Sequence, residues 1–125
     1  MILKMNNQDK DFYKYMGPIF GSRKVEAETR DRIYDDDNKI WYLYTNQKSK
    51  KVLSLVSVST NVIKNVYTTD EKYLIELLKE VQQDISIKSS VVPIVYKDIY
   101  KEIGLTVTEI NGYKNYISVR GDDDE

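Results

Sequence analysis

Cysteine and histidine are both absent from the 125-residue sequence. Their absence excludes disulfides, thiol nucleophiles, histidine-assisted serine catalysis and the usual transition-metal ligand sets. Proline occurs twice and glycine five times, too few for a linker-rich or low-complexity chain. No apolar run is long enough to span a membrane, and Met1-Ile2-Leu3 is too brief for the apolar core of a signal peptide. The expected location is the cytoplasm. Nor does either charge dominate, since 19 basic and 20 acidic side chains leave a net charge of -1. A duplex binder needs a clear basic excess on one face, so no nucleic-acid footprint is visible.

What remains is ordinary material for one soluble domain. Apolar residues make up 41% and charged residues 31%, enough to bury a single two-layer core. Residues 1–121 read as that domain, and Asp122 to Glu125 as a solvated acidic tail. There is no repeat and no linker. Eleven tyrosines and a lysine-, asparagine- and isoleucine-rich usage match the coding bias of AT-rich genomes, many phages among them.

Local patterns predict a short strand at Ile2 to Met5. A helix follows from Asp9, with Phe12, Tyr15 and Met16 on one side, and ends at Gly17-Pro18. Ser22 has the position of an N-cap for a second helix presenting Val25, Thr29 and Ile33. Strands are expected at Ile40 to Tyr44, Val52 to Thr60 and Val62 to Tyr67. Leu53 and Leu55 alternate on one phase and Val56 and Val58 on the other, which implies a bulge or burial on both faces. A similar irregularity falls between Val62 and Ile63. Leu74, Leu77, Leu78 and Val81 define the clearest helix. Beyond it come a strand over Asp84 to Ser90, a helix from Pro93 to about Ile103 stopped by Gly104, and a hairpin turning at Asn111-Gly112.

Three stretches add to this order. They are Pro18-Ile19-Phe20-Gly21-Ser22-Arg23, then Ile33-Tyr34-Asp35-Asp36-Asp37-Asn38-Lys39-Ile40-Trp41-Tyr42, and finally Ile99-Tyr100-Lys101-Glu102-Ile103-Gly104-Leu105. The last is similar to a Tyr-x-x-x-Gly-Phe pattern near the end of a family's final helix. Together with the element order, they make the chain resemble the GCN5-related N-acetyltransferase (GNAT) superfamily, particularly small phage-encoded members. The resemblance implies an α/β fold with a mixed, mostly antiparallel sheet of six or seven strands flanked by helices. It also implies acetyl-CoA held between two splayed strands, with its pyrophosphate on backbone amides of an Arg/Gln-x-x-Gly-x-Gly/Ala loop that opens the next helix. In an active member Val66, Tyr67, Thr68 and Lys72 would hold the cofactor, and Tyr100 would serve as general acid toward the departing thiolate.

The stretch Thr68 to Tyr73 departs from that loop. It has no arginine and no glycine, while Asp70 and Glu71 place negative charge where a dianion would sit. A helix N-terminus binds phosphate through unpaired amides and its dipole. Thr68-Thr69-Asp70-Glu71 instead fits a capping box, with Thr68 as N-cap and Glu71 three positions on. Tyr100 has a second reading as a packing aromatic in a stripe with Tyr96. The strands expected around the site carry Ser57, Ser59, Asn65, Lys88, Ser89 and Ser90 but no carboxylate to act as base.

Asp35-Asp36-Asp37 lacks the glycine and downstream glutamate of a calcium loop and reads as a solvated turn, so no metal is expected. Ser22-Arg23-Lys24 reads as a capped helix start or an anion contact. Phe20, Trp41, Tyr42 and Tyr44 read as core or half-buried sheet residues, with Tyr42 and Tyr44 sharing a face that would suit protein recognition if exposed. Two classes of function stay open. One is a degenerate family member with impaired acetyl-CoA binding that works by binding a macromolecule, a host or defence protein if the chain is phage-encoded. The other is an active acetyl-CoA-dependent N-acetyltransferase acting on an amine.

Overall fold

The computed structural model describes residues 1–121, and the acidic tail expected over 122–125 lies outside them. The described residues form seven strands and four α-helices. They are β1 (Ile2–Met5), α1 (Phe12–Phe20), α2 (Arg23–Thr29), β2 (Ile40–Thr45), β3 (Val52–Ser59), β4 (Val62–Thr68) and α3 (Glu71–Asp84). After these come β5 (Ser90–Pro93), a 3₁₀ turn (Ile94–Tyr96), α4 (Lys97–Glu102), β6 (Thr106–Glu109) and β7 (Tyr116–Arg120). The strands form two sheets, β1-β2-β3-β4 and β5-β7-β6, with every paired neighbour antiparallel.

Both faces of the larger sheet are buried, which is why its sequence does not alternate cleanly between apolar and polar. Trp41, Leu43, Leu55 and Tyr67 point to a core shared with Phe12, Met16 and Val25 from α1 and α2. Tyr42, Val56, Val58 and Val66 point to a second core with Leu74, Leu77, Leu78 and Val81 of α3. Two bulges reconcile the remaining phase shifts. Thr45 pairs with Val52 and Tyr44 with Ser54, leaving Leu53 unopposed. Ser57 pairs with Asn65 and Val58 with Ile63, leaving Lys64 unopposed. The second bulge lets Ile63 and Val66, three residues apart, share the α3-side core.

Several boundaries differ from the sequence expectation. α1 begins at Phe12, because Asp9 is drawn into a turn where its carboxylate accepts the Asn6 amide at 2.7 Å. It then runs through Gly17-Pro18 to Phe20. A proline in the last turn forfeits only one backbone hydrogen bond, and burial of Phe12 and Met16 outweighs it. Ser22 does cap α2, its hydroxyl accepting the Val25 amide at 3.2 Å. That helix closes on Arg30 in a left-handed conformation (φ 55°), so Ile33 is buried from the following coil. α3 retains Asp84, and the next strand is Ser90–Pro93. Pro93 closes that strand, one residue ahead of the 3₁₀ turn that leads into α4. The β6–β7 connection spans residues 110–115, longer than a two-residue Asn-Gly turn, although Gly112 keeps the expected positive φ of 84°. Among the described residues, no helix is long and apolar enough to cross a membrane.

Among the described residues, no backbone ladder joins the two sheets. They are clasped at one end of β4 and β5, where the Ser90 hydroxyl accepts the Ile63 amide at 2.9 Å and Lys88 N–H donates to the Asn61 carbonyl at 2.8 Å. At the other end of β4, the ring of Tyr96 reaches across to Thr68. This opening, beside the start of α3, is where the candidate site lies.

Candidate functional site

The strand-to-helix turn after β4 uses most of its own amides. Thr68 N–H donates to the Tyr96 hydroxyl at 3.2 Å, and Thr69 N–H to the Leu53 carbonyl at 2.9 Å. Asp70 N–H donates to the Thr68 hydroxyl at 3.3 Å, which in turn donates to the Asp70 carbonyl at 2.6 Å. Lys72 N–H donates to the Asp70 carboxylate at 3.1 Å, and Tyr73 N–H to the Asp70 carbonyl at 3.2 Å. The N-cap is therefore Asp70, and the Thr68/Glu71 capping box does not form. Glu71 stands at the first helical position, too early to reach back across the turn. The small, flexible hydroxyl of Thr68 closes a side-chain turn instead, which pushes the cap two residues downstream.

A cleft of about 230 Å³ opens at this turn. Asp70, Glu71 and Asp98 bring three carboxylates to its wall, and among the described residues no basic side chain lines it. The Lys72 ammonium is turned onto the Tyr73 ring, 5.2 Å from its centre. Val66 is fully buried in the α3-side core, and Tyr67 is buried on the opposite face. Thr68 reaches the cleft, while Val66, Tyr67 and Lys72 do not line it.

Tyr96 and Tyr100 fill the space between the sheets. Burial pushes the Tyr96 hydroxyl up to about 12, with the Thr68 amide pulling the other way. Tyr100 has no solvent exposure, and its hydroxyl has no hydrogen-bond partner among the described residues. Burial, with Tyr96 and Asp31 nearby, raises its pKa well above the ordinary phenol value.

A polar network lies behind these tyrosines. The Asn65 side-chain oxygen, beside the β4 bulge, accepts from the Ser57 hydroxyl at 2.7 Å and from the Lys39 ammonium at 2.9 Å. Lys39 is buried, also donates to the Tyr34 carbonyl at 2.7 Å, and lies 3.7 Å from the Asp36 carboxylate. Burial lowers its pKa, with Asp36 and Asp35 opposing. Asp31 accepts the Tyr116 hydroxyl at 3.2 Å. Burial holds the Asp31 carboxyl above its ordinary range, and Tyr116, the Arg32 amide, Lys39 and Asn65 oppose that rise.

The strands supply no carboxylate here. Asp31 approaches from the coil after α2, which no strand pattern could reveal. The Asp35 to Asp37 turn is likewise structural. Asp35 accepts from the Trp41 indole at 3.1 Å and from Asn7 at 3.1 Å. The tyrosine face is covered, since Tyr42 lies under α3 with its hydroxyl on Asp84 at 2.7 Å, and Tyr44 stacks on Tyr73 at 4.6 Å.

No protein-family model matches the sequence, and no curated protein matches it. Among solved structures, that of Escherichia coli ElaA is similar, with a TM-score of 0.65 over 98% of this chain and 99% of that one. Sequence identity is 11%, so the likeness is one of fold. The fold is GNAT-like. The β4–α3 turn is the strand-to-helix turn at which the resemblance set the pyrophosphate loop. The same turn carries the filled amides and the three-carboxylate cleft.

Proposed function

We propose that this chain is a GNAT-fold protein that no longer uses acetyl-CoA and acts by binding a protein partner. The observation behind this reading is the occupancy of the β4–α3 turn. Amides of Thr68, Thr69, Asp70, Lys72 and Tyr73 already have acceptors within the chain. A pyrophosphate would have to displace them and face Asp70, Glu71 and Asp98 without a compensating cation. The residues present do not fit the group. Lysine-, asparagine- and isoleucine-rich usage supports a phage-type source, in which case the partner would be a host or defence protein in the host cytoplasm.

One observation favours the rival reading of an active N-acetyltransferase: the Tyr100 hydroxyl is buried and has no partner among the described residues, as a group awaiting a ligand would be. Titration calorimetry with acetyl-CoA separates the two. Silence at millimolar ligand is the expected result. Micromolar binding, or acetyl transfer to any member of an amine panel, would overturn the partner-binding reading.

A further inference from the structure

Away from that turn, a second cleft of about 480 Å³ opens between the α1–α2 corner and the β2–β3 loop. Its floor is apolar, formed by Ile19, Val25, Val52 and the ring of Tyr67. Around it stand Lys14, Lys24, Lys50 and Lys51, and among the described residues no carboxylate lines it. None of these four ammonium groups has an ion-pair partner among the described residues. Glu28 of α2 is the acid whose charge reaches the Tyr67 hydroxyl.

The loop carrying two of the lysines is fixed in place. The Asn46 side chain accepts the Lys48 and Ser49 amides at 2.9 and 3.2 Å. Its backbone accepts the Lys50 amide at 2.9 Å and donates to the Lys51 carbonyl at 2.9 Å. Lys50 sits at a φ of 60°, a conformation that a non-glycine residue adopts at some cost. The cations are therefore held over the cleft by a structured hairpin end.

Resting on the partner-binding reading above, we propose that this cleft docks an acidic peptide segment of the protein partner, with one apolar side chain seated on the floor. Charge complementarity selects the occupant. Four lysines without ion-pair partners among the described residues repel one another, and an acidic segment relieves that repulsion while its anchor covers apolar surface. A long nucleic acid fits less well. Basic side chains outnumber acidic ones in residues 1–60, and acidic outnumber basic in residues 61–125. A polyanion extending beyond the cleft would therefore meet repulsion, which a short acidic segment avoids.

Fluorescence anisotropy on the full chain tests the proposal, using a labelled twelve-residue peptide alternating glutamate with leucine and phenylalanine. The controls are the same peptide with glutamine for glutamate and a single-stranded DNA of equal charge. The acidic peptide is expected to bind, to weaken as salt rises, and to lose about tenfold or more in affinity, about 1.4 kcal/mol, in Lys24→Ala/Lys50→Ala/Lys51→Ala. These side chains are exposed, and thermal unfolding checks that the variant is folded. Ile19→Glu, which places a like charge on the floor, should weaken binding independently. Equal binding of the glutamine peptide, unchanged affinity in the variants, or tighter binding of DNA would each overturn the proposal. Peptide failure with acetyl-CoA silent removes only this cleft, whereas acetyl-CoA binding removes the reading on which it rests.

Discussion

At the scale of single residues, a displacement of two positions along the β4–α3 turn decides which side chain holds the helix. Thr68 and Glu71 have the spacing of a capping box, yet the carboxylate that accepts an α3 amide belongs to Asp70. Loss of a side-chain N-cap typically costs about 1 kcal/mol. Asp70→Ala should therefore destabilise the fold by that amount in urea unfolding, and Glu71→Ala by less than about 0.5 kcal/mol. A larger effect at Glu71 would restore the capping box and dismiss the observed cap. The sequence identified the segment and its self-capping character but not the residue responsible. Thr68, Thr69 and Asp70 are all competent caps, and only the position where β4 stops pairing with β3 selects among them. Asp31 and Lys39 were harder still. Both look like ordinary surface charges, and only the way the coil from Asp31 to Lys39 folds back against β4 reveals them as half-buried and buried groups.

At the scale of elements, legibility followed local periodicity. The apolar stripe of α3 and the bulged strands could be read because each leaves its mark within a few residues. Leu53 and Lys64 stand unopposed within the two three-residue steps, Val52 to Leu55 and Ile63 to Val66, that each keep to one face. The stretch after α3 departs from its pattern, since Ile85 and Ile87 alternate like a strand whereas pairing with β7 begins only at Ser90. Ser90 has a further role that no pattern announces. Its buried hydroxyl accepts the Ile63 amide and donates to the Lys88 carbonyl at 2.6 Å, clasping β5 to β4. Removing that oxygen leaves a buried amide unsatisfied, a loss of about 1–3 kcal/mol. Ser90→Ala should lower stability within that range and speed hydrogen exchange at Ile63. Wild-type exchange at Ile63 in the variant would show that the sheets are clasped by other contacts.

For the whole molecule, element order alone indicated the architecture, because a strand, two helices, an antiparallel set and a closing α/β unit admit few topologies. The two-sheet division was not legible, since it depends on the opening that Tyr96 and Tyr100 fill. Those aromatics also govern how the fold meets high pH. Burial raises Tyr42, Tyr96 and Tyr100 above the ordinary phenol value of 10.0. In the unfolded chain they ionise near that value, while in the native state they keep their protons. The native state then binds more protons, so stability falls as pH climbs. Their contribution is complete below about pH 10 and is lost as pH rises through the native values, that of Tyr96 being about 12. Lys39 acts in the opposite sense, because its lowered pKa makes the native state shed a proton before the unfolded chain does. Stability should therefore hold or rise slightly toward pH 10 and then fall steeply. Tyr100→Phe removes a hydroxyl that has no partner, so neutral-pH stability should not fall and the alkaline unfolding midpoint should move upward. Thermal melts of wild type and variant across the alkaline range give both numbers. An unchanged alkaline midpoint in Tyr100→Phe would mean that its hydroxyl is solvated in the native state, and the packing between the sheets would have to be looser than described.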